Sequence, residues 1–178
     1  MRFGWVAVCG LAIGMTAAIT VQAAAPGPKE IKVDIKNASG AIAGTATFKT
    51  VKKGVEVKIS LRGLPVGEHG VHIHQNAVCD APDFKGAGGH FNPDGKQHGY
   101  LNPNGHHNGD FPASVEVGDD HTGEATFVSS DISLDPTAPN SLFLKGGTSI
   151  VVHEKADDDM TDPSGNSGAR IGCGVIKN

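Results

Sequence analysis

Positive charge is in short supply in this chain: 15 lysine and arginine residues stand against 19 aspartate and glutamate, a formal net charge of −4. Without a basic stripe or a polybasic segment, the sequence lacks the electrostatic footprint that a nucleic acid or an anionic membrane surface requires. Any attraction for a small anion must therefore be local. Aromatic residues are scarce as well, with 7 Phe and 1 Tyr against 25 Gly and 10 Pro; many turns between short strands follow, and the expected class is all-β. No internal repeat divides the chain, and its length suits one domain with a proper core. The lack of an HExxH sequence, and of a plausible general base beside the histidines, argues against a zinc hydrolase.

The N-terminus stands apart. Arg2 precedes an apolar run over 3–21 that closes on small residues, the pattern of a secretory signal peptide cleaved after residues 1–23, with 24–178 as the mature domain. A retained membrane anchor is the competing reading. Export places the mature protein in the periplasm or outside the cell, with no membrane attachment. Cys9 leaves with the signal, since Val8 is not the small residue that a lipoprotein signal carries before its cysteine. Cys79 and Cys173 remain, and in an oxidising compartment they are expected to form one disulfide rather than two free thiols. Such a bond ties the loop after His74 to the C-terminal segment and holds Arg170 near the histidines.

Alternation of apolar and polar residues marks strands at 31–35, 42–50 and 55–61, joined by turns as a meander. A fourth strand carries His72 and His74, whose side chains share one face while Val71 and Ile73 take the other. Strands resume at 113–117, 124–129, 148–153 and 170–176. The expected architecture is an eight-stranded, mostly antiparallel Greek-key barrel or sandwich, with two long loops forming the metal site. Asn37-Ala38-Ser39 reads as a hairpin turn rather than a glycosylation site, and His121 as a solvated turn residue. Residues 75–112 show no period: 38 residues rich in Gly, Asn, Asp, Pro and His, too long a loop for a compact domain unless something organises it.

Histidine is where the chain is rich. Seven of its 9 histidines fall between His69 and Asp110, written HGVHIH, GGHFNP, QHG and GHHNGD. Metal coordination accounts for that density and organises the loop. His72, His74, His90 and His153 form an all-imidazole set that suits Cu(II) or zinc. His98, His107 and Asp110 form a second group that needs one more ligand for tetrahedral zinc. His90, after two glycines, has two ring nitrogens and can serve both ions as a bridging imidazolate. His69, at odd spacing from His74, is assigned a structural hydrogen-bonding role. His106 competes with His107, but only His107 keeps the HxGD spacing. Asp157 has the rival reading of a solvated acidic run, and Arg170 that of a surface cation.

HGVHIH, GGHFNP, HHNGD, VVHEKADD and GARIGCGVI occur in this order, and over almost the whole mature chain they resemble the copper-zinc superoxide dismutase family. The resemblance implies His72, His74, His90 and His153 as copper ligands and His90, His98, His107 and Asp110 as zinc ligands. It implies Asp157 as the carboxylate that hydrogen-bonds one ligand histidine from each group, Arg170 as the receptor for the superoxide anion, and Cys79–Cys173 as the intrasubunit disulfide. It implies Cu(II)/Cu(I) cycling, with Arg170 and His90 catalytic and zinc structural. Two segments depart from the animal enzymes of the family. Cys79 falls in a different place between His74 and His90, which leaves a homodimer open, and the loop over 155–169 has no lysine after Lys155, so long-range steering is not implied. A non-catalytic copper or zinc binding module on the same fold is the alternative from another class.

Overall fold

The apolar residues of each alternating stretch enter one core. Strand β1 (Glu30–Asn37) buries Val33 and Ile35 between exposed Lys32, Asp34 and Lys36; β2 (Ile42–Val51) buries Ala46 and Phe48; β3 (Gly54–Arg62) buries Val55, Val57, Ile59 and Leu61. The computed structural model describes residues 27–178, with Met1 and Gly4. The signal peptide expected over 1–23 lies, those two residues apart, outside the described residues, as does Cys9. The other strands are β4 (Gly67–His69), β5 (Val71–His74), β6 (Val115–Val117), β7 (Thr122–Ser129), β8 (Thr148–His153) and β9 (Arg170–Ile176). Among the described residues no helix is long and apolar enough to cross a membrane.

Seven strands form one sheet in the order β5-β8-β9-β1-β2-β3-β7, and β4 pairs with β6; every pairing is antiparallel. The β6–β7 turn is closed by the Gly118 N–H to the Thr122 carbonyl, and β4 runs into β5 with Gly70 alone between them. The small pair therefore links both edges of the large sheet, which curls on itself around Phe48, Ile59, Ile73, Ile150 and Ile176, all fully buried. Burying each such side chain is worth about 1.5–3 kcal/mol.

The described residues form nine strands rather than eight because the strand expected around His72 divides at Gly70. Gly70 donates its N–H to Lys155 O and accepts the His153 N–H, so its backbone bonds to a loop and to a neighbouring strand's end while β4 and β5 take different partners. A Cβ at Gly70 would lie 2.9 Å from Ser167 Oγ, so the loop over 154–169 needs a glycine there to pack this close.

The long segment over 75–112 is held by main-chain bonds before any ion is considered. The Gln75 N–H donates to Gly89 O, Phe91 N–H to Ile73 O, Ile73 N–H to Gly109 O and Gly109 N–H to Phe91 O. A satellite cluster of Phe84, Ala87, Val151 and Cys173, with Cys79 against it, anchors its first half. The Cys79–Cys173 disulfide joins that half to β9, with Cα atoms 5.6 Å apart across a separation of 94 residues. Closing a loop of that size restricts the unfolded chain by roughly 4–5 kcal/mol. The double replacement of Cys79 and Cys173 by serine is expected to lower unfolding stability by about that amount in a urea titration; an unchanged midpoint would show that the bond adds nothing.

Candidate metal centre

His72 and His74 alternate along β5 with Val71 and Ile73. The two apolar side chains enter the barrel core, so both imidazoles stand on the opposite side of the sheet, beneath the long loops. Across the β5–β8 ladder His72 faces Val151 and His74 faces Ser149, which brings His153, at the end of β8, to within 3.3 Å of His74 (Nε2 to Nε2). A bridge between His74 and His90 lays residue 90 alongside β5. The His72 and His90 rings stack with centroids 4.1 Å apart. One nitrogen from each of His72, His74, His90 and His153 lies within 4.8 Å of the others, and all four residues are buried.

The second group surrounds Asp110, which is fully buried. Its Oδ1 lies 2.8 Å from His90 Nδ1 and 3.4 Å from His107 Nδ1, and its Oδ2 lies 3.1 Å from His98 Nδ1. His107 Nδ1 is 3.3 Å from His90 Nδ1. Ligands 2.0–2.1 Å from a tetrahedral zinc ion stand about 3.3–3.4 Å apart, so these separations fit one ion with modest expansion. A further grouping within 4.8 Å links His72 with His90, His98 and Asp110, a measure of how closely the two sets adjoin. Three nitrogens of the assembly are buried without a hydrogen-bond partner: His72 Nδ1, His90 Nε2 and His98 Nδ1. Leaving a buried polar atom unpaired costs roughly 1–3 kcal/mol, and a bound ion removes that cost at His72 Nδ1 and His90 Nε2, whereas His98 Nδ1 already has the Asp110 carboxylate beside it.

Other ring nitrogens of the assembly have partners outside it. Asp157 accepts from His72 Nε2 at 2.5 Å through Oδ2 and from His98 Nε2 at 2.9 Å through Oδ1. His74 Nδ1 donates to Gly88 O at 3.0 Å, and Arg170 Nη2 donates to that same carbonyl at 2.6 Å while its Nη1 donates to Phe84 O. Arg170 thereby sits on the wall of a cavity of about 450 Å³ shared with His74, His90, His107, His153 and Pro163. His69 holds the fold around the site: its two ring nitrogens lie 2.8 Å from the carbonyls of His153 and Pro65.

His106 turns away from the cluster, stacked on Tyr100 with its Nε2 3.3 Å from Asp131, so His107 alone of that pair joins the group. His121 is exposed, yet its Nδ1 bonds Leu64 O at 2.9 Å, tying two loops together rather than merely meeting solvent. Sequence reasoning missed the Gly88 carbonyl, the Ser114 hydroxyl that accepts the Asp157 N–H, and Asp162, whose Oδ1 accepts the His98 N–H at 2.7 Å. A backbone carbonyl leaves no trace in sequence; Asp162 was visible only as one more acid in its loop.

Burial, followed by repulsion from His72, holds His90 neutral down to about 3 and His153 to about 2, and burial pushes His74 well below the usual histidine range. Burial opposes charge on His98 too, but the Asp110 and Asp157 carboxylates outweigh it and raise its pKa to about 10. The same histidine contacts overcome burial and hold both carboxyls below the ordinary range.

Two ligand sets that meet at His90, one wholly imidazole and one completed by a carboxylate, suit two different ions side by side; the class is that of binuclear metalloproteins on a β barrel. Residues 42–176 match the model of the copper/zinc superoxide dismutase (SODC) family. The chain belongs to the copper/zinc superoxide dismutase family, which implies copper and zinc as the ions. It is 41% identical over 145 residues to superoxide dismutase [Cu-Zn] 2 of Aquifex aeolicus, covering 81% of this chain and 84% of that one. With the superoxide dismutase [Cu-Zn] of Deinococcus radiodurans it shares 36% over 179 residues, covering 94% and 93% of the two chains. Its structure is similar to the crystal structure of a superoxide dismutase-like protein from Bacillus subtilis, with a TM-score of 0.78 and 39% identity over 82% of this chain and 97% of that one.

The pKa shifts fix how the metal-free protein answers to pH. Unfolded histidines take a proton near 6.5 while folded His90 and His153 refuse one until about 3 and 2, so stability falls as pH drops below 6.5. His98 has the opposite sign: its contribution is complete below 6.5 and is lost as pH rises toward about 10. Asp110 and Asp157 add a further loss under acid, through the carboxylate range and below it. Denaturation of the metal-free protein is expected to show greatest stability near neutral pH and a decline below 6.5 of up to about 1.4 kcal/mol per pH unit for each neutral histidine. A flat profile through that window would contradict these assignments.

Proposed function

We propose that the protein is an exported superoxide dismutase, converting two superoxide anions and two protons to dioxygen and hydrogen peroxide. The observation that carries this reading is one cavity in which Arg170 stands beside His74, His90 and His153. Copper, which His72, His74, His90 and His153 would hold, would supply one-electron chemistry between Cu(II) and Cu(I), and zinc, which His90, His98, His107 and Asp110 would hold, would supply fixed positive charge.

The chain's own residues do the rest. Arg170, held by two carbonyls, presents to the cavity the local positive charge that a chain of net charge −4 lacks elsewhere, so it draws in and orients a small anion over a range that salt shortens. His90 would stand between the two ion sites, with Nδ1 beside Asp110 and the unpartnered Nε2 on the copper side, where it would hold and hand on a proton whenever copper does not occupy that nitrogen. His74 gives its Nδ1–H to Gly88, which leaves the Nε2 lone pair facing His153. Asp157 fixes the tautomers of His72 and His98, so each turns its Nδ1 lone pair inward.

The mature protein loaded with copper and zinc is expected to disproportionate superoxide rapidly. His153→Ala is expected to be slower by on the order of a hundredfold or more, since even partners behind a ligand are worth about 10–100-fold. A fully metallated wild type without activity would leave a metal-binding module instead. The apolar segment over 3–21 and the disulfide support export. Intact mass of the protein recovered from the periplasm or medium is expected to correspond to a chain that begins near residue 24; retention of the whole N-terminus in the cytoplasm would remove export from the proposal.

A further inference from the structure

Asp157 is not the one acidic side chain of the 154–169 loop that reaches the histidines. Asp162 Oδ1 accepts the main-chain N–H of His98 at 2.7 Å, and the same oxygen lies 3.9 Å from His107 Nε2. His107 turns its other nitrogen toward Asp110 Oδ1 and His90 Nδ1, at 3.4 and 3.3 Å. One carboxylate thus touches two members of the second ligand group, one through its backbone and one facing its ring.

We propose that Asp162 is a positioning residue for zinc, aiming His98 through its amide and polarising the His107 ring from behind. The proposal rests on the zinc reading of His90, His98, His107 and Asp110. At 3.9 Å the approach to His107 is too long for a hydrogen bond, so the carboxylate acts on the ring as a nearby charge: beside Nε2 it favours the tautomer with the proton there and leaves the Nδ1 lone pair for the ion. The Asp162 side chain is 47% exposed, and water screens that charge, which puts its effect at the lower end for a residue behind a ligand. Asp162 also stands directly before Pro163 and Ser164 in the cavity wall that includes Arg170, so it joins the ligand group to the mouth of the site.

A neighbouring acid offers a control. Asp158 accepts from Met160 N, Thr161 N, Thr161 Oγ1 and Asn166 Nδ2, all within its own loop. The test is the rate of zinc release from the metallated protein to a chromophoric chelator, with the melting of each metal-free variant measured beside it. Asp162→Asn keeps an oxygen for the His98 amide and loses the charge; it is expected to release zinc about tenfold faster while melting like the metal-free wild type. Asp162→Ala, which loses the acceptor as well, is expected to be faster still, and Asp158→Asn to match wild type. Release at the wild-type rate from both Asp162 variants overturns the proposal, as does equal acceleration in Asp158→Asn, which would assign the effect to the loop at large. A wild type that takes up no zinc overturns the zinc reading and the proposal together.

Discussion

Asp157 makes two candidate ligand groups into one unit. With one oxygen on His72 and the other on His98, it fixes the orientation of an imidazole in each set, so neither can shift without moving the carboxylate they share. The carboxylate is itself held: its backbone N–H reaches Ser114 Oγ, and the Asp159 N–H donates to its Oδ1 at 2.7 Å. Gly165, at φ +61, packs so tightly against it that a Cβ would fall 1.8 Å from that oxygen, a place where no other residue fits. A rigid hydrogen-bonded acceptor of this kind is how a buried charge survives away from water.

The same crowding sets the electrical character of the site. His74, His90 and His153 lie too deep, and too close to one another and to His72, to carry protons, whereas His98 between two carboxylates is held cationic without metal. The first set therefore offers neutral lone pairs, whereas in the second the Asp110 charge is balanced by a proton on His98, which an incoming cation must displace. Positive charge toward the solvent comes from Arg170. Its sharing of the Gly88 carbonyl with His74 means that one peptide group sets both the position of the Arg170 guanidinium and the tautomer of His74.

The barrel was legible because nothing competes with the period-two pattern along β1, β2 and β3, where residues such as Val57, Ile59 and Leu61 can enter the core only as a strand, and because the short apolar run of β8 reads as a strand buried on both faces. The ligand candidates were legible because so many histidines in so short a stretch serve little besides metal coordination. What escaped was whatever depends on the backbone. The division of a strand at Gly70, the Gly88 carbonyl and the ladder that ties Gly109 to Ile73 and Phe91 involve groups that every residue possesses. The segment over 75–112 looked as though it waited on metal for its order, when main-chain bonds, a small cluster around Phe84 and a disulfide already organise it. Asp162 was hidden for another reason: its partners are 64 and 55 positions away in sequence.

β9 lies between β8 and β1 in the sheet, and this has a consequence in time. A ribosome delivers β9 after every other strand among the described residues, yet β9 is the strand that connects the opening meander to β5 and β8. Until β9 emerges, the nascent chain has two partial sheets with unpaired edges at β1 and β8 and no route to a closed barrel. Pairing between the two ends of the chain is slow, because the ordering cost comes before the contacts repay it. The barrel therefore cannot close before β9 has been made, however early the meander pairs.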